Sequence, residues 1–186
     1  MEKRYEGHRL ARYLIGYLIG FCVFFLAIPY GLHAISRGFH AFETIPYLTD
    51  LPLGGSARLA CALIAGSIGL FFLLWSNAAL IIQGKGGPTD AFNVAISPRT
   101  KHLVVGGPYR YTRNPMVFGA FSFYVALAVY WNSLPALMAP AAFSVAVRFY
   151  LRATEEKRLL RDFGKEYEEY RKTVAMIVPW PAGRKR

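Results

Sequence analysis

Hydrophobic and polar positions fall into long blocks along this chain, not into the short alternations of a soluble fold. From Tyr13 to Ser36, and again from Leu59 to Gln83, there is no Asp, Glu, Lys or Arg. Each run exceeds the roughly 20 apolar residues that carry a helix across a bilayer core. A third run, Asn114 to Val147, is too long for one straight span, because a helix rises about 1.5 Å per residue against a core of about 30 Å. Trp131-Asn132-Ser133-Leu134-Pro135 places turn chemistry at its midpoint. The pattern therefore predicts a helical hairpin, with Tyr130 and Trp131 at the membrane interface and a kink at Pro140. Beyond it the period changes: Leu159, Leu160, Phe163, Tyr167 and Tyr170 recur at helical spacing. Thr154 reads as the N-cap of this surface helix, Glu155 and Glu156 suit its N-terminus, and Gly164 breaks it into two short segments. The predicted fold is all-α: a polytopic membrane protein with about four transmembrane helices, the last two a hairpin, and a C-terminal helical segment. Residues 1–186 read as a single domain.

Composition agrees. Of 186 residues, 54% are hydrophobic and only 18% charged, against about 25% charged in a soluble domain. Disorder and a disulfide scaffold are excluded, the latter because the two cysteines, Cys22 and Cys61, both sit in apolar runs. The net charge of +11 is unevenly placed. Lys3, Arg4, Arg9 and Arg12 precede the first run, and Lys85, Arg99, Lys101, Arg110 and Arg113 fill the second loop. The first loop has only Arg37 and Arg58, the hairpin tip none, and the rest lie from Arg148 onward. Positive loops stay cytoplasmic, so both termini and the second loop are expected on that face. A signal peptide also has a basic start and an apolar core. Here Leu32 fills the outer small-residue slot before a cut at Ala34, and the run is long, so the first helix reads as a retained span. The positive charge then serves topology and contact with anionic lipids, not nucleic acid.

Polar residues collect on that same face. The loop Gly84–Arg113 is rich in glycine and proline and is long enough to be functional. Its Gly-Lys pair lacks the spacing and the following Ser or Thr of a phosphate loop. No metal site is predicted, and haem fits poorly because His33 is the only histidine within the uncharged runs.

Two blocks carry a resemblance. Leu103-Val104-x-x-Gly107-Pro108-Tyr109-x-x-x-Arg113-Asn114-Pro115-x-x-x-Gly119 precedes the hairpin, and Glu155-Glu156-x-x-x-Leu160-x-x-Phe163-Gly164-x-x-Tyr167-x-x-Tyr170 follows it. Together, over roughly 101–179, they resemble the isoprenylcysteine carboxyl methyltransferase family of integral membrane methyltransferases, which has phospholipid N-methyltransferase relatives. The resemblance implies an enzyme that uses S-adenosylmethionine, held in a cytoplasm-facing pocket roofed by the loop and the C-terminal segment. It puts Lys101, His102, Leu103, Val104, Tyr109, Asn114, Pro115, Met116, Val117 and Glu155 against that cofactor. Asn114 stands where the best-known members have His, and Val117 where the pattern has Tyr, with Phe118 beside it. Asn still donates and accepts hydrogen bonds; Val does not.

The implied acceptor is a lipidic or prenylated molecule, an isoprenylcysteine carboxylate or, alternatively, a phospholipid amine, with membrane lipids as the surrounding partners. Arg148 and Arg152 lie on one helix face at i, i+4 and are the candidate cations for steering a carboxylate or phosphate head. The competing reading makes them anchors in anionic headgroups. Two other functions compete with this reading. An intramembrane protease with a Glu-Glu-x-x-x-Arg motif fails because Leu160 occupies the arginine position, and a non-catalytic subunit on the same scaffold is the remaining alternative.

Overall fold

The computed structural model describes residues 14–40, 51, 53–85, 90–91, 94–95 and 100–180. Among the described residues, four apolar helices make up the membrane-spanning body. Helix α1 covers 14–40, α2 is Gly55–Ile82, α3 is Pro115–Tyr130 and α4 is Leu134–Ala153. Three are long enough to cross a bilayer, and α3 is the shorter partner in the hairpin. Their outward faces keep large apolar side chains exposed, such as Leu63, Leu74 and Phe143, as a lipid-facing surface requires. The protein is thus an all-α polytopic membrane protein, as the pattern predicted.

The hairpin turn follows from its residues. Ser133 N–H donates to Ala128 O and Asn132 N–H to Val129 O, both at 3.1 Å, closing α3 with a Schellman motif in which Asn132 takes a positive φ of 54°. Ser133 Oγ then accepts from Ala136 N–H at 3.3 Å and caps α4. Helix α4 continues through the buried Pro140. At the same end of the bundle, Leu51 N–H donates to Asn132 Oδ1 at 3.2 Å, and the His33 ring lies 5.0 Å from Trp131.

Helices α2 and α3 form the tightest pair. A Cβ at Gly69 would stand 2.7 Å from Gly119 O, and one at Gly119 would stand 2.8 Å from Gly69 O. Only glycine at both positions lets the two backbones meet this closely. Helix α1 packs on α3 and α4 instead, through Leu32 and Ile28 against Ala120 and Tyr124.

Between α2 and α3 the chain forms a small antiparallel pair, β1 (Asp90–Ala91) with β2 (Val94–Ala95), and a 3-10 turn at Gly107–Arg110. Helix α5, Glu155–Thr173, bends at Gly164, where φ is 52° and ψ −125°, a conformation open chiefly to glycine. Thr154 does not cap α5. Its hydroxyl donates backward to Tyr150 O at 2.7 Å, because its own backbone stays right-handed and the chain passes almost directly from α4 into α5. After α5, residues 174–180 double back as a strap along 111–114. Thr112 and Ala175 form a parallel bridge, Arg113 N–H donates to Ala175 O at 2.8 Å, and Trp180 N–H to Tyr111 O at 2.9 Å.

Candidate active site

The strap, the loop and α5 enclose one end of the bundle, and there a cavity of about 680 Å³ opens. That volume lies in the range of small-molecule sites. Its polar end is built from the loop, the first turn of α3 and the N-terminal half of α5. Its apolar end lies between Gly16–Phe25 of α1 and Leu73–Ile81 of α2.

Nearly every predicted cofactor contact reaches this cavity. His102, Leu103 and Val104 line it from the loop, Tyr109 from the 3-10 turn, and Glu155 from α5. Asn114, Pro115, Met116 and Val117 line it from the start of α3, where Pro115 occupies the favoured first helical position. Lys101 does not. Its side chain is exposed and its backbone N–H ties to Gly84 O at 2.8 Å. Asn114 spends its amide nitrogen on the strap, donating to Met176 O at 2.8 Å.

Arg148 and Arg152 stand apart from the cavity. Both are exposed, and neither is among its lining residues. Sharing a face is what removes them: α4 turns Leu151 inward, at 5% exposure, and the two arginines outward. The guanidiniums in the wall are Arg113 and Arg158 instead. Arg113 Nη1 bonds to the Glu156 carboxylate and lies 3.4 Å from Tyr167 Oη, while Arg171 stands 3.7 Å from the same carboxylate. Arg158 pairs with Glu155 at 3.5 Å. Sequence reasoning missed Arg113, Glu156, Arg158 and Asp162 as site residues. Arg158 and Asp162 follow Glu155 at i+3 and i+7, a spacing that places them on one helix face. Asn77, also in the wall, was signalled by being an amide inside an apolar span.

Burial sets the electrostatics. It pushes the Glu155 carboxyl above the usual carboxylate range, and Glu156 beside it adds to the effect. Glu155 lines the cavity, with 39% of its side chain exposed. Burial also raises the Tyr109 phenol, with Glu155 and Tyr170 adding to it, so Tyr109 is a neutral hydrogen-bond donor. Tyr170 is raised by burial too, and its hydroxyl donates to Tyr109 O at 2.7 Å, tying the far half of α5 to the 3-10 turn. Arg158 is lowered by burial, partly offset by Asp162. Two buried atoms have no partner among the described residues of the wall: Arg113 Nε and Asn77 Oδ1.

Comparison with known proteins places this arrangement. Residues 57–166 match the phospholipid methyltransferase family. Methanethiol S-methyltransferase of Mycobacterium tuberculosis is 32% identical over 76 residues, a match covering 39% of this chain and 29% of that protein. The chain therefore aligns with less than a third of that relative's length. The family match runs from the start of α2 to beyond the Gly164 bend, through the loop, the hairpin and the acidic turn of α5. On that extent, and with the cavity walled largely by those elements, the chain belongs to the phospholipid methyltransferase family.

Proposed function

We propose that the protein transfers a methyl group from S-adenosylmethionine to a lipophilic acceptor at the cytoplasmic membrane surface. The observation that carries this reading is a single cavity that is polar and charged where the loop and α5 meet, and apolar where it lies between α1 and α2.

The residues suit the cofactor's chemistry. A nucleoside with ribose hydroxyls, a planar base and an amino-acid tail calls for acceptors, a flat or apolar wall and a few donors. Glu155 offers the acceptors, Tyr109 and the side chains of Leu103, Val104 and Met116 the wall, and the unpartnered Arg113 Nε a donor. When bound, S-adenosylmethionine supplies a methyl group already activated by its sulfonium. The chain's task is then to hold the nucleophile close and in line and to keep water out. Arg113 and Glu156 clamp α5 against the start of α3, so that Glu155 is presented to the cavity at a fixed position. Tyr109 stays protonated and donates. The apolar walls of α1 and α2 exclude water on the acceptor's side. Basic residues at this end of the bundle support a cytoplasmic placement.

Calorimetry on purified protein in nanodiscs tests the reading. S-adenosylmethionine and S-adenosylhomocysteine are expected to bind, and Glu155→Ala to weaken binding by about 1–3 kcal/mol through lost hydrogen bonds. Folded protein that binds neither compound overturns it. Labelled methyl transfer to vesicles carrying prenylcysteines or aminophospholipids then identifies the head that is methylated.

A further inference from the structure

The cavity wall contributed by α1 lies outside the region of the family match, and a local defect in the helix shapes it. Over Cys22–Ala27 the hydrogen bonding is π-helical, and Ile28 N–H reaches back five residues to Val23 O. Pro29 explains why. It has no N–H, so Phe25 O loses its α-helical donor and Phe24 O its π-helical one. In a bilayer a freed carbonyl must find another partner. For Phe24 O that partner is the hydroxyl of Tyr124, which donates from α3 at 3.1 Å.

The consequence is rotational. Four residues overshoot an α-helical turn by about 40°, so a stripe of residues spaced by four winds around a regular helix. The wider turn at Cys22–Ala27 takes up part of that drift. Gly16, Gly20 and Phe24 therefore line the cavity, while Ile28 and Leu32, continuing the same spacing, pack into the core. Phe25, which also lines the cavity, packs on the Phe123 ring at 5.6 Å and stacks on Phe21 at 5.4 Å. Across the cavity stand Leu74 and Ile81 of α2, both lining it and both exposed. The apolar end of the cavity lies between these two walls.

We propose that the Pro29-induced turn, pinned by Tyr124, makes Phe21 and Phe24 the specificity-determining residues for the methyl acceptor, selecting it by the girth of the apolar chain behind its reacting head. This rests on the lipophilic-acceptor reading above. Aromatic rings on a helix held from α3 form a stiff wall, and such a wall discriminates by shape where a flexible one adapts. One methylene in a fitted apolar pocket changes selection by roughly 10–200-fold, so a chain with methyl branches is well separated from a straight one.

Two probes with one head and one backbone length test this: S-dodecyl and S-farnesyl N-acetylcysteine, titrated against the protein in nanodiscs. S-adenosylhomocysteine affinity is measured on the same samples. The wild type is expected to prefer one chain by about tenfold. Tyr124→Phe keeps the ring and removes the hydroxyl, and should bring the two chains to near parity. Phe24→Ala, with Phe24→Leu as the milder variant, should shift preference toward the branched chain. S-adenosylhomocysteine affinity should stay unchanged in all three variants. A wild type without preference, or variants that keep it, overturns the proposal. Loss of S-adenosylhomocysteine binding in the wild type is a separate result and overturns the methyl-donor reading instead.

Discussion

Glu155 combines a functional position with a cost to the folded state. Burial and the neighbouring Glu156 raise its carboxyl, so the folded protein holds that proton more tightly than the unfolded chain does. Native stability from this group is fully present below the ordinary carboxylate range and is lost as pH rises toward the raised value. Glu155→Gln should therefore raise the melting temperature of the ligand-free protein at neutral pH and leave it nearly unchanged at acidic pH, while weakening S-adenosylhomocysteine binding. A melting-temperature difference that is flat with pH would contradict this. Arg113 behaves oppositely, since it compensates the buried Glu156 carboxylate. Arg113→Met leaves that carboxylate with Arg171 at 3.7 Å and should cost about 3 kcal/mol in denaturant unfolding. Arg113→Met/Glu156→Met should recover most of that loss, because replacing both charges removes the desolvation penalty with the attraction.

At the scale of elements, the glycines divide by what surrounds them. A Cβ at Gly119 meets the α2 backbone at under 3 Å, whereas one at Gly66 meets only Ala126 Cβ at an ordinary 3.5 Å. Gly119→Ala should destabilise by about 1–3 kcal/mol through overpacking, and Gly66→Ala should be near neutral, both read as thermal unfolding in detergent. Gly164 is a third case. Nothing among the described residues crowds its missing Cβ, yet φ is positive, so Gly164→Ala should cost about 1–3 kcal/mol through backbone strain alone. These elements were legible to different degrees. The hairpin, the amphipathic helix and its break at Gly164 follow from local residues. The π turn in α1 does not, because the carbonyl freed near Pro29 is satisfied by a tyrosine a hundred residues away.

At the scale of the whole molecule, the cavity and the hairpin tip lie at opposite ends of the bundle. Lys101 belongs to the loop beside the cavity, and Asn132 to the tip, where it meets Leu51. In a Cys22→Ser/Cys61→Ser background, Lys101→Cys and Asn132→Cys should be labelled by an impermeant thiol reagent from opposite sides of the membrane, Lys101→Cys from the cytoplasm. Labelling of both from one side would rule out the four-helix arrangement.

The sequence by itself determined the spans, the hairpin and most of the polar wall, because each rests on near neighbours along the chain. Charge-free length makes a membrane helix, turn residues make the hairpin, and the residues around Tyr109, Asn114 and Glu155 keep their order in any fold that brings the two blocks together. Tertiary structure decided which cations meet those blocks. Arg148 and Arg152 looked suited by adjacency to Glu155, but helix α4 turns their shared face outward. Arg113, distant in sequence, comes to Glu156 only because the strap hydrogen-bonds 174–180 along 111–114. The apolar wall was decided the same way. Helices α1 and α2 carry no motif, and they line the cavity because α1 packs on α3 and α4, with its N-terminal half facing the C-terminal half of α2 across the space. Spacing along a chain sets which residues share a face; the packing of every other helix sets what that face meets.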